Sequence, residues 1–232
     1  MSSLSSMSEG EARTLISKVS QYVEEYMSNF DASHDWHHIR RVVGLAQKIA
    51  SEETAKGTRY DTTIIILAAL LHDVGDRKYL KEGQDPKTLV RDVLLNYGLD
   101  TAIANVVQEI CTNVSYSSEI KNPQKVREII ERHPELAVVQ DADRLDAIGA
   151  VGIGRCFTYG GALHGKDPAS SKGRSMGHTM EHFDEKLVRL EGMMKTKTGK
   201  EMARVRTERL RQFMSWWEDE VEVEDCSLQN IH

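Results

Sequence analysis

His72 and Asp73 stand side by side at the end of an almost unbroken apolar run, "LAALLHDVGDRKY", where polar groups buried without partners would be costly. Two explanations fit that stretch alone: a metal ion gripped by both side chains, or a C-terminal histidine favoured by the helix dipole with Asp73 exposed. Upstream, "DASHDWHHIRRV" supplies His34, His37 and His38 at the start of another helix. His34 and His38 are four apart and share a face, whereas His37 turns elsewhere. A capping or solvated role suits His34 and His37 as well as a catalytic one does. Downstream, "LAVVQDADRLDAIGAVGIG" reads as one helix whose main apolar stripe is Val138, Ala142, Leu145, Gly149, with a second stripe of Val139, Asp143, Asp146, Ala150 beside it. Asp143 therefore leans toward the interior and Asp141 points further round. A carboxylate on a packed face wants a cation or hydrogen-bond donors, and Arg144 is the structural candidate. Imidazole and carboxylate together suit first-row divalent ions, whose charge acidifies water.

The elements that must position these side chains are helices. Leu15, Val19, Tyr22 and Tyr26 recur at helical spacing, as do Ile39, Val42, Val43, Ala46 and Ile49, and no alternating strand pattern stands out. The fold class expected is all-α, in about eight or nine helices. Thr62 to His72 is apolar on nearly all sides and is expected to be the central helix. "GQDPKTLVRDVLLNYG" has Asp85 as an N-cap, Pro86 at the first helical position and Gly98 at the stop; Asn122 and Pro123 repeat the start signal. The Gly/Ser-rich stretch from Tyr159 to Gly177 is expected to be a long loop. Two amphipathic helices follow it, about 178–220, and the acidic tail beyond Trp217 is expected to fray.

A chain of 232 residues with 40% hydrophobic and 28% charged residues can bury a full core, and no linker divides it, so one domain over 1–232 is expected. A formal net charge of -6 argues against a nucleic-acid polymer or an anionic membrane as partner. Cys111, Cys156 and Cys226 are scattered, which indicates neither a disulfide framework nor a Cys-x-x-Cys metal site. With no membrane-spanning run and no leader pattern at the N-terminus, the expected location is the cytoplasm, or the nucleus.

"HHIRRVVGLAQKIA", "LAALLHDVGDRK" and "QDADRLDAIGA", in that order over about Asp31 to Arg155, resemble the HD-domain superfamily of metal-dependent phosphohydrolases. The resemblance implies that His38, His72, Asp73 and Asp143 bind one divalent ion. Mn²⁺ is the leading choice, with Co²⁺, Ni²⁺, Fe²⁺, Mg²⁺ or Zn²⁺ as alternatives. Branches that hold more metals, and the di-iron oxygenases of the same fold, use further histidines between the His-Asp pair and the last Asp. Here that interval offers His133 alone. Asp76 matches the place of an acidic residue in related hydrolases and is expected to orient or deprotonate water, with Lys78 first among the basic groups that neutralise phosphoryl charge. Arg41, Arg77 and Arg144 are candidate substrate contacts, Arg41 and Arg144 with a rival role as partners for Asp. His182 and Lys186 join them, because similar proteins carry a His-Phe pair in "HFDEKL". Lys166, Lys172 and Arg174 could close over a polyphosphate, against the plainer reading of a mobile insertion.

The closest resemblance is to single-domain members that look like bacterial nucleotide pyrophosphohydrolases. It implies hydrolysis of a nucleoside triphosphate at the α-phosphorus with release of pyrophosphate; the apolar surface of the helix containing "RLRQFMSWW" suits packing on the core or on a second chain, so a monomer or a homodimer is expected. A nucleoside 5′-monophosphate phosphatase needs the same ligands. A signalling or scaffolding protein that keeps the fold without turnover has no evident need for the full ligand set.

Overall fold

Capping residues set most of the helix starts. Ser8 opens α1 (Glu9–Met27) with a reciprocal box, its hydroxyl accepting from Glu11 N at 3.3 Å while the Glu11 carboxylate accepts from Ser8 N at 2.8 Å. Asp35 caps α2 (Trp36–Ala55) and Asp61 caps α3 (Thr62–Leu71). In the computed structural model, which describes residues 7–28, 34–75, 80, 82–166 and 176–228, there follow α4 (Leu89–Asn96), α5 (Thr101–Thr112), α6 (Tyr116–Lys121), α7 (Pro123–Arg132), α8 (Glu135–Asp146), α9 (Gly149–Lys166) and α10 (Met176–Glu185). A 3₁₀ helix (Leu187–Met193) and the long α11 (Lys197–Leu228) complete the chain. The all-α class holds, and the described residues contain more helices than expected.

α3 is central. Its residues Ile65 and Leu67–Leu71 are buried, and it packs against α1, α2, α5 and α8. Burying each large aliphatic side chain stabilises the fold by roughly 1.5–3 kcal/mol. One continuous core cluster runs from Leu15 to Leu210.

Several expectations are corrected. α4 starts at Leu89, because Asp85 closes a turn first: its carboxylate accepts from Lys87 N at 2.9 Å and its carbonyl from Thr88 N at 3.1 Å. Asn122 and Pro123 do start α7. The helix read from Leu136 through Gly154 breaks after Asp146, so α8 and α9 are separate. The expected loop from Tyr159 is helical as far as Lys166. Gly160 serves packing: a Cβ there would lie 2.7 Å from Thr179 Oγ1 of α10. Phe157, whose ring lies 6.0 Å from both Phe183 and Phe213, anchors the same helix. The helix expected after Gly177 is divided at Lys186 into α10 and the 3₁₀ helix. α11 runs on to Leu228 instead of fraying beyond Trp217, whose ring packs 5.6 Å from that of Phe157.

α11 is docked by two buried carboxylates. Asp141 of α8 accepts from Thr196 N at 2.8 Å, Thr196 Oγ1 at 2.7 Å and Lys195 N at 2.9 Å. Glu53 of α2 accepts from Thr198 N at 2.8 Å and Thr198 Oγ1 at 2.7 Å. The two helices that seat α11 are the ones that carry His38 and Asp143.

Candidate metal centre

His38, His72 and Asp73 offer ligand atoms all within 4.8 Å of one another, and Asp143 of α8 reaches the two imidazoles of that group. His38, on the first turn of α2, is 1% exposed. His72 and Asp73 follow the last residue of α3, so the end of the central helix presents both. Asp143 comes from α8. His38 Nε2 lies 3.3 Å from His72 Nε2, 3.4 Å from Asp73 Oδ2 and 3.7 Å from Asp143 Oδ1. His72 Nε2 lies 3.5 Å from Asp73 Oδ2 and 3.7 Å from Asp143 Oδ1.

The protons of this group are fixed from outside it. His72 Nδ1 lies 2.9 Å from the Ala69 carbonyl, which can only accept, so in the neutral ring Nδ1 carries the hydrogen and Nε2 a lone pair. His38 Nδ1 lies 2.8 Å from Asp146 Oδ2 and is set the same way. Two lone pairs and two carboxylate oxygens therefore face one another. Asp73 Oδ2 is buried with no hydrogen-bond donor. Such a group repels itself unless a cation sits among its members. Donors held about 2.1 Å from one first-row ion stand roughly 3.0–3.5 Å apart, close to the spacings found. The residues fit a divalent metal.

A proton partly replaces that cation when no metal is bound. Burial alone would lower the His38 pKa, but the hydrogen bond with Asp146 and the Asp73 carboxylate 3.4 Å away outweigh it and raise the pKa to about 9. For Asp73 burial pushes upward, and the nearby His72 and His38 imidazoles hold the carboxyl well below its ordinary range.

The other candidates are placed unequally. Arg41 binds Asp146 through Nε at 2.7 Å and Nη2 at 3.0 Å and keeps about a third of its side chain exposed at 35%. Arg144 is buried and engaged by Glu119 and the Met193 carbonyl; that pairing commits it to structure and does not bring it to the cluster. Lys186 Nζ sits over the Tyr116 ring at 5.1 Å, and His182 is half-buried on α10, its pKa lowered by burial and by Lys186. Asp76, Arg77, Lys78, Lys172 and Arg174 lie outside the described residues, and Lys166 ends α9. The His34 ring is 6.1 Å from that of His38 and 5.8 Å from that of Tyr159, at the edge of the site, whereas His37 is exposed. His133 pairs with Glu109 at 3.6 Å.

Two readings of α8 change. Asp141, expected to point further round, is fully buried, and Asp143 keeps 28% of its side chain exposed. Asp146 and Arg155 are the residues that sequence reasoning did not assign. Asp146 shared the stripe of Asp143, so its spacing already carried a signal; Arg155, which approaches Asp146 Oδ2 at 3.1 Å, offered none.

The HD domain family model matches residues 35–148. Bacillus subtilis YpgQ is 34% identical over 208 residues, 88% of this chain and 92% of YpgQ. The crystal structure of YpgQ in complex with ADP matches with a TM-score of 0.68 at 32% identity, over 90% of this chain and 96% of that one. An HD-superfamily hydrolase from Bacillus thuringiensis matches with a TM-score of 0.66 at 32% identity, over 91% of this chain and 98% of that one. No helix among the described residues is long and apolar enough to cross a membrane.

Proposed function

The chain belongs to the HD-domain family, and on that premise we propose that it is a divalent-metal-dependent phosphohydrolase acting on nucleotides, cleaving a nucleoside triphosphate at the α-phosphorus to release pyrophosphate. The observation that carries the metal-dependent part is the donor-free convergence of His38, His72, Asp73 and Asp143. The ADP bound to YpgQ supports a nucleotide as the substrate class.

A divalent ion, Mn²⁺ first, would supply positive charge to the phosphoryl oxygens and acidify water. The chain does the rest. His38 and His72 are held with their lone pairs aimed inward by Asp146 and the Ala69 carbonyl. Asp143, partly exposed, opens the cluster to an approaching phosphate. Arg41 commits two nitrogens to Asp146 and keeps further N–H groups for a phosphoryl oxygen. Asp76 orients the attacking water, and Lys78 with Arg77 offsets the charge that develops on the phosphoryl group, as in the related hydrolases. The bacterial relative favours the cytoplasm as the place of action.

The test is to strip the protein of metal, add nucleoside mono-, di- and triphosphates with Mn²⁺, Co²⁺, Ni²⁺ or Mg²⁺, and assay pyrophosphate and orthophosphate separately. Metal-dependent pyrophosphate from triphosphates is expected. Orthophosphate from monophosphates would replace this reading with a phosphatase, and no turnover with any metal would reject both.

A further inference from the structure

The two imidazoles of the centre are held by different means. His72 leans on a carbonyl of its own helix, Ala69, three residues back. His38 depends on Asp146, which is 108 residues away in sequence and belongs to another helix. Asp146 is itself 1% exposed and too far round the His38 ring to reach the point where the four ligand atoms meet, because its partner is Nδ1 and the cluster lies on Nε2. Its two oxygens are fully used. Oδ1 accepts from Arg41 Nε at 2.7 Å; Oδ2 accepts from His38 Nδ1 at 2.8 Å, from Arg41 Nη2 at 3.0 Å and approaches Arg155 Nη1 at 3.1 Å. Donors from α2 and α9 thus converge on one carboxylate of α8.

We propose that Asp146 is the positioning residue of the metal centre, fixing the tautomer and ring plane of His38, and that Arg41 and Arg155 hold the Asp146 carboxylate in that pose. The inference rests on the metal-centre reading above. Every donor around Asp146 needs an acceptor. An asparagine in its place has one oxygen and one NH₂ group, so the amide must turn its hydrogens either on the arginines or on His38 Nδ1. In the second case the ring hydrogen moves to Nε2, where the metal lone pair should be. In the first, the amide oxygen still accepts from His38 Nδ1–H, but the amide turns hydrogens on Arg41 Nε and the anchor that fixes the ring plane is weakened. Partners of this kind behind a metal-bound histidine typically change affinity by about 10–100-fold.

The experiment titrates Co²⁺ into the metal-stripped full chain, for the wild type, Asp146→Asn and Arg155→Ala, following the visible absorption of the bound ion and competition with a chelator. The His38 Nδ1–H resonance is recorded in parallel on the Zn²⁺-loaded proteins. Expected are Co²⁺ binding by the wild type, affinity about 10–100-fold weaker in Asp146→Asn with the downfield Nδ1–H signal lost, and a smaller loss in the same direction for Arg155→Ala. Arg155→Ala leaves Asp146 and His38 in place, so it decides the matter if Asp146→Asn does not fold. Equal Co²⁺ affinity in wild type and folded variants, with the Nδ1–H signal unchanged, would overturn the proposal and leave the metal centre standing. A wild type that binds no Co²⁺ would instead bring down the metal centre itself.

Discussion

Asp141 and Asp143 are two residues apart on α8, and their carboxylates meet opposite surroundings. Asp141 is fully buried and saturated: Lys195 N, Thr196 N and Thr196 Oγ1 all donate to it. Burial pushes its carboxyl upward in pKa, and those donors with the Arg144 charge pull it back. Asp143 is less buried, yet its Oδ1 faces two imidazole nitrogens at 3.7 Å that point lone pairs at it. Asp73 Oδ2, also buried, has the same two imidazole nitrogens at 3.4 and 3.5 Å and no backbone donor. Residue type does not separate the structural carboxylate from the proposed ligand, and the deeper of the two is the structural one. The separation lies in whether the protein supplies the donors or leaves that task to a cation.

Four predictions break or sharpen this contrast. The largest effect is expected from Asp73→Ala or His72→Ala: metal binding and metal-stimulated hydrolysis are lost altogether while the circular dichroism of a helical protein is kept, and full activity in either purified variant would displace the site. Asp141→Ala should do the reverse. It strands three buried donors and is expected to lower stability by about 3 kcal/mol in urea denaturation while leaving the ligand set in place. If Asp141→Ala abolished metal binding in a folded protein, the two carboxylates would not be functionally separate.

The third prediction uses pH on the metal-free protein. A folded-state pKa of about 9 for His38, against an ordinary 6.5, makes this group stabilising below about pH 6.5, with the contribution lost as pH rises through 9. The metal-free melting temperature should therefore fall between these values. Saturating divalent metal displaces the proton, so the gap between metal-loaded and metal-free melting temperatures should widen over the same window; a flat gap would contradict the assignment. The smallest effect belongs to His37→Ala, at an exposed position beside the ligand His38, which should change stability by no more than about 0.5 kcal/mol and leave metal affinity as it was.

The candidate ligand set came from the family resemblance, which the three helical blocks carry in order; helical spacing by itself placed His72 and Asp73 at the end of an apolar helix and set Asp143 and Asp146 on one stripe of α8, and it left metal binding and plainer roles open. Asp141 was misread for a physical reason: its donors come from Lys195 and Thr196, 54 and 55 residues downstream, and no local pattern announces them. Gly160 misled in another way. Glycine reads as a loop signal, but here its missing side chain lets α9 approach Thr179 of α10. The turn held by Asp85 shows a start signal used locally, ahead of the helix it was read to open, and the break at Lys186 falls where the sequence shows no stop signal.

The docking of α11 also orders events in time. A nascent chain that has emerged as far as Arg155 already holds the four proposed ligands and Asp146, but Asp141 and Glu53 still await Thr196 and Thr198. The contact from Glu53 to Thr198 spans 145 residues, and closing so large a loop carries an entropic penalty before any contact rewards it. The bundle is thus latched from its far end. A ribosome-bound or truncated chain that stops before Lys195 would carry these helices with Asp141 deprived of its donors and Glu53 left with Lys56, and synthesis past Thr198 becomes the step that locks this core.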